Sequence, residues 1–204
     1  MTQFAVQLMN AEKQSRPEPA TPDIDDPRVV KNASDFAGVF ENPAGGKLQI
    51  VANGSSLFLM AADQKIPLES RGPDTFLADE YSWRRFPLIF GRNNGKKVVE
   101  LSHGADWYVN ESYAGPKAFP RLTQYESFVG HYRSDSPWFR STRIVVRKGR
   151  LWANGTSPLE PIGQALFRLG DPVSPDVVEF FHVVNGKALL LKINGSDQWR
   201  VEAP

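Results

Sequence analysis

Three histidines, His103, His131 and His182, are the first residues here whose type could do chemistry, since imidazoles that converge in space make a zinc site. They stand 28 and 51 residues apart, each beside its own turn or strand-like run. Scattered histidines of that kind serve as surface or hydrogen-bonded groups, so no metal is expected. Tyr108-Val109-Asn110 has a Tyr-x-Asn spacing that can manage a proton beside a Ser-Lys pair. No serine is followed three positions later by lysine, however, and Lys-Thr-Gly is absent too. The chain also lacks a Gly-x-Ser-x-Gly elbow, a His-Glu-x-x-His helix and a glycine-rich phosphate loop. With no cysteine there is no thiolate nucleophile, thiolate metal site or disulfide. The expectation is a non-catalytic chain without a cofactor.

Binding is the more promising chemistry. Trp138 sits in Ser136-Pro137-Trp138-Phe139-Arg140, and Asn42-Pro43-Ala44-Gly45-Gly46, its counterpart in an internal repeat described below, has no aromatic residue. An aromatic pair flanked by arginine in one copy alone fits a contact patch for a partner or for an anionic, partly apolar ligand. The other reading of Trp138, Phe139 and Arg140 is a plug that closes the mouth of a barrel. Phe4 and Leu8 lie one turn apart on one face of a short helix expected within residues 2–14, too short to stand without something to dock on. Trp83, Trp107, Trp152 and Trp199 read as core-filling residues, with Tyr108 matched to Trp199.

Charge narrows the partners. The 24 basic and 23 acidic side chains nearly cancel, and they are interspersed. Nucleic-acid binders gather lysine and arginine into a stripe that neutralises phosphates, so no nucleic-acid partner is expected. The densest basic run, Arg140 to Arg150, alternates with apolar residues like an exposed strand face. No stretch is long and apolar enough for a transmembrane helix, and Met1 to Asn10 lacks the basic leader and apolar run of a secretory signal. The compartment is left open, periplasmic if a longer parent protein is exported. Five Asn-x-Ser/Thr sequons occur, at Asn32, Asn53, Asn110, Asn154 and Asn194; three coincide with Asn-Gly turns, which account for them.

The elements that would position these groups come from a duplication. Shifting the sequence by 91 residues lays Pro67-Leu68-Glu69 on Pro158-Leu159-Glu160, Phe76 on Phe167, Phe90 on Phe181 and Gly104 on Gly195. Phe36-x-Gly38-x-Phe40 matches Phe128-x-Gly130-x-Tyr132 at 92. Asn-Gly occurs five times, at Asn53, Asn94, Asn154, Asn185 and Asn194, the preferred pair for a type I′ hairpin turn. Between these turns lie short β-rich runs, about eight per unit at roughly ten-residue spacing. An open meander would expose two edges, and closure into a barrel removes them. The expectation is an all-β chain: an N-terminal helix and Pro-rich linker over residues 1–33, then a barrel over 34–115 and a second over 116–204. One larger barrel or a sandwich is the alternative. The linker, RPEPATPDIDDP over 16–27, reads either as a frayed terminus or as a tether to an upstream domain.

Taken together, Phe36-Ala37-Gly38-Val39-Phe40, Gly72-Pro73-Asp74-Thr75-Phe76, Arg85 to Arg92 and His103-Gly104-Ala105-Asp106-Trp107-Tyr108 resemble the C-terminal region of β-lactamase-related serine hydrolases. Gly130-His131-Tyr132-Arg133-Ser134, Pro137-Trp138 and Arg147 to Trp152 continue the likeness, which spans most of residues 34–201. The resemblance implies lipocalin-like barrel segments that follow a hydrolase domain. That domain is missing here, so no active-site residue carries over. What it implies for this chain is an accessory module that shapes substrate access or assembly with a serine hydrolase domain. A lipocalin-like carrier of a small apolar ligand is the alternative.

Overall fold

The computed structural model describes residues 9–10, 26–61, 64–135 and 141–202. It contains two closed eight-stranded antiparallel barrels in tandem. In the first, β1 (Gly38–Glu41), β2 (Lys47–Asn53), β3 (Ser56–Ala61), β4 (Gln64–Gly72), β5 (Thr75–Ala78), β6 (Leu88–Arg92), β7 (Val98–His103) and β8 (Asp106–Val109) pair in sequence order. In the second the order is β9 (Gly130–Arg133), β10 (Ser141–Arg147), β11 (Arg150–Ala153), β12 (Ser157–Pro161), β13 (Leu166–Leu169), β14 (Val177–Val184), β15 (Lys187–Ile193) and β16 (Ser196–Val201). The tandem pair holds, and the single larger barrel or sandwich falls away. Of the expected N-terminal helix, the described Met9 and Asn10 are helical.

Alternation drives each strand. Leu48 and Ile50 on β2, Leu57 and Leu59 on β3, and Ile66 and Leu68 on β4 point into the first barrel, while their neighbours along the chain face outward. A short 3-10 turn precedes each barrel, Ala33–Phe36 and Thr123–Phe128, and its last phenylalanine plugs the interior from one end. In the first barrel Phe36, Phe40, Phe76 and Phe90 meet edge to face at centroid distances of 5.0 to 5.8 Å. In the second, Phe128 stacks on Phe180 at 4.3 Å, and Phe167 and Tyr132 close round them. These rings occupy the lumen of each barrel.

Hydrogen bonds repeat with the fold. Asp79 N–H donates to Pro67 O and Gly170 N–H to Pro158 O; Phe90 N–H donates to Asp74 O and Phe180 N–H to Ala165 O. The last pair corrects the sequence alignment, because the inward partner of Phe90 is Phe180 and not Phe181. The strands that follow carry the same one-residue shift. Leu101 pairs with Tyr108, and Leu191 pairs with Gln198, so Gln198 takes the inward place of Tyr108. Trp199 points outward and is 53% exposed, against the expectation that it fills the core. Of the five Asn-Gly pairs, Asn185-Gly186 and Asn194-Gly195 are the central residues of two-residue turns with φ positive at both. Asn53 instead ends its strand, paired to Ser56.

The barrels touch through two glycine turns. A Cβ on Gly155 would lie 3.3 Å from Gly104 Cα and 3.1 Å from the Phe86 ring, so the β7–β8 turn and the β11–β12 turn approach backbone to backbone. Arg147 sits in this seam, 4% exposed, its guanidinium donating to Gly104 O at 2.8 Å and Gly155 O at 3.0 Å. It stacks 4.0 Å over Trp152, and burial lowers its pKa to about 10, with Glu100 opposing. Arg147 therefore departs from the exposed strand face expected of the basic run. Beside it Lys148 pairs with Glu100 at 2.7 Å and lies over Trp107, whose indole N–H also donates to Glu100.

Candidate functional site

Residues 26–31 lie across one end of the first barrel. Pro27 O accepts from Ser70 N–H and Val30 N–H donates to Ser55 O, both at 2.7 Å, while Arg28 reaches Glu69 and Asp79 on the rim. Between this strap and the β4–β5 turn opens a mouth cleft of about 660 Å³. Its floor is the buried pair Phe36 and Phe76, its wall the exposed Val29, and its rim carries Lys31 and Asp74. Behind the lining, Arg92 lies 2.9 Å from Asp74 and 5.1 Å over the Phe36 ring. Its hydrogen bond to Asp74 holds it charged still more firmly than an ordinary arginine. An apolar floor under a paired rim suits a small amphipathic group.

Among the described residues, Ser82 donates to the Glu80 carboxylate within one exposed 3-10 turn, and other serine hydroxyls meet His131 and Lys97. His131 Nε2 lies 3.2 Å from Ser141 Oγ, but its buried Nδ1 has no partner, so no carboxylate orients the ring. A general base must become imidazolium during attack. Burial first, then the charges of Arg143, Arg133 and Arg85, push the His131 pKa down and oppose that form. Lys97 Nζ donates to Ser112 Oγ at 2.7 Å on the exposed surface. Among the described residues no three His, Asp or Glu side chains gather as metal ligands. His103 instead stacks on Trp83 at 4.8 Å and hydrogen-bonds to its carbonyl.

The expected site residues Phe4, Leu8, Trp138, Phe139 and Arg140 lie outside the described residues. Tyr108 and Asn110 do not act together: Tyr108 fills the barrel, and Asn110 Nδ2 caps Val98 O at 2.9 Å. The sequence reading missed the mouth cleft and Trp199. The cleft joins a loop, a turn and two strands that no local pattern brings together. Trp199 was hidden by the one-residue error in register.

Among the described residues no helix is long and apolar enough to cross a membrane. Scanned against models of known protein families the chain matches none, and no curated protein matches its sequence.

Proposed function

We propose that this chain is a non-catalytic accessory module that binds a β-lactamase-like serine hydrolase domain and modulates substrate access or domain assembly. The observation that carries the reading is the mouth cleft, lined in part by the last residues of the Pro-rich linker and those that follow them. A partner held along that linker meets the cleft first. The filled interiors favour the same reading over a carrier, because ring clusters leave the outside of the barrels to do the binding. The carrier alternative keeps one supporting feature, the Phe36 and Phe76 floor, which places a small apolar ligand in the cleft and not in a lumen.

The test mixes the full chain with a serine hydrolase domain encoded beside it, reading binding by calorimetry and turnover of a chromogenic ester. Micromolar binding, a changed KM and weakening by Val29→Asp are expected. No binding together with unchanged turnover overturns the proposal. Saturable uptake of a fluorescent fatty acid, abolished by Val29→Asp, would replace it with the carrier.

A further inference from the structure

On the second barrel an apolar row crosses the outer face of the sheet. The pairing register places Phe181 beside Leu190, Leu190 beside Trp199, and Trp199 beside Arg133. Side chains on the solvent face of an antiparallel sheet are ordinarily polar. Here Leu190 is 4% exposed although it points away from the lumen, and Trp199 stands half out of the surface next to it. Trp199 and Val201 form the floor of a shallow cleft of about 580 Å³ whose polar groups are Arg133, Ser134, Asp135 and Asp197. Among the described residues no ring and no cation stacks on the Trp199 indole.

The duplication shows what this face does in the other copy. The first-barrel counterparts of Asp197 and Trp199 are Trp107 and Val109, at 6% and 7% exposure. They are covered: Trp107 packs on Tyr113 and Phe119 of the connecting segment and lies under Lys148 of the second barrel. The first barrel thus uses this face to hold its neighbour. In the second barrel Trp199 is half-exposed, and the aromatic residue has moved two positions along the strand, onto the surface.

We propose that the Trp199 face is a saccharide-binding site, in which the indole carries the apolar C–H face of a sugar ring while Arg133, Asp135 and Asp197 take its hydroxyls. The chemistry of the cleft selects this occupant. Arg133 supplies donors and the two carboxylates supply acceptors, all on short reach around one flat ring, which suits a neutral ring with hydroxyls along its edge. Lys192 holds Asp197 at 3.2 Å and leaves that carboxylate 47% exposed, so it is fixed in place and still open to a ligand. A nucleotide would stack on the same indole, but its phosphates would face Asp135 and Asp197, with Arg133 the one cation among the described residues that line the cleft. A fatty chain needs an apolar trough, and this cleft is half polar around its rim. The site is independent of hydrolase binding at the mouth cleft, which lies on the other barrel.

The experiment presents the full chain with cellohexaose, maltohexaose and chitohexaose, reading binding by calorimetry and by saturation-transfer NMR from the indole protons. At least one hexasaccharide is expected to bind with a dissociation constant between roughly 10 µM and 1 mM. Trp199→Ala should weaken it about tenfold or more, and Trp199→Phe less, because a ring survives. Asp197→Asn and Arg133→Ala should weaken it without changing the circular dichroism. Trp199 is on the surface, so both its variants should fold, and the buried Trp107 serves as a control for the spectra. No binding by any of the three at millimolar concentration overturns the proposal, as does binding that Trp199→Ala leaves unchanged. Loss of hydrolase-domain binding in Trp199→Ala, without sugar binding by the parent chain, would make the face a protein interface and overturn it equally.

Discussion

In the first barrel Tyr108 fills the lumen beside Leu101 and its hydroxyl interacts with the Asn42 side chain; in the second, Gln198 stands beside Leu191 with neither end of its amide bonded. The two barrels also close differently. β1 and β8 join through the single pair Glu41 and Val109, whereas β9 and β16 share three pairs, from Arg133–Trp199 to His131–Val201. Arg200 reinforces the second seam by donating to Ala188 O, Val129 O, Ser127 O and the Tyr132 hydroxyl. Burial pushes the Tyr132 pKa up to about 12, so this hydroxyl stays neutral and keeps donating to Phe128 O. The first barrel thus gains coherence from a satisfied interior and from the neighbour packed on its β7–β8 face. The second relies on its own seam and tolerates an unsatisfied interior, and its equivalent face carries the half-exposed Trp199.

The largest effect should come from what the barrels share. Phe76 and Phe167 hold the same place in the two ring clusters, both buried to 2% exposure or less. Phe76→Ala and Phe167→Ala should each cost about 3 to 5 kcal/mol, since the surrounding strands are hydrogen-bonded into a closed ring and cannot collapse into the hole. Urea titration followed by far-UV circular dichroism reads both. A barrel that loses less than about 1 kcal/mol has a looser interior than its rings imply, and the equivalence would fail there.

Much of this was legible in the sequence. The repeat, the strand count and the barrel closure follow from Pro67 on Pro158, Phe76 on Phe167 and the Asn-Gly turns, because period-two alternation and hairpin chemistry act locally. The register of the last three strands was not read, though a signal was present. Gly195 is the second central residue of an Asn-Gly turn, whereas Gly104 is the first central residue of a Gly-Ala turn. Aligning the two glycines therefore displaces the strands by one residue, and a slip of one exchanges the inner and outer faces. That single exchange hid both Gln198 and Trp199. Arg147 was unreadable for another reason: its partners are carbonyls on turns 43 and 8 residues away, which no pattern of side chains encodes.

Gln198 offers the next sharpest break in the comparison. A buried amide without partners costs about 1 to 3 kcal/mol relative to an apolar side chain of similar size. Gln198→Leu should accordingly raise the unfolding free energy by about 1 kcal/mol, while Tyr108→Leu in the first barrel should lower it by more, since a ring and a bonded hydroxyl are lost. Opposite signs at equivalent positions are the expected result in thermal and urea unfolding. A destabilised Gln198→Leu would mean the amide has hydrogen-bond partners within the barrel, and the contrast with Tyr108 would dissolve.

The smallest effect separates the barrels by the charges that act on a buried histidine. His103 in the first has its pKa lowered by burial, with its bond to Trp83 O and the charge of Asp106 pulling back. His131 in the second is lowered by burial and then by three arginine charges. For both, the folded pKa lies below the ordinary value of 6.5, so the unfolded chain takes up the proton first. Stability is complete above that value and declines as the pH falls through it. Urea midpoints should therefore drop between about pH 7.5 and about pH 5.5, above the range where carboxylates titrate. His103→Asn, which can still donate to Trp83 O, should remove part of the slope at any ionic strength, because burial is not screened. The part due to His131 should shrink only partly in about 0.5 M sodium chloride, which screens the arginine fields within a few ångströms but leaves burial, its larger cause, in place. Midpoints that hold level or rise toward acid would show that neither histidine is held below its ordinary range, and a slope in His103→Asn that salt leaves untouched would show that the arginine charges add nothing to the burial of His131.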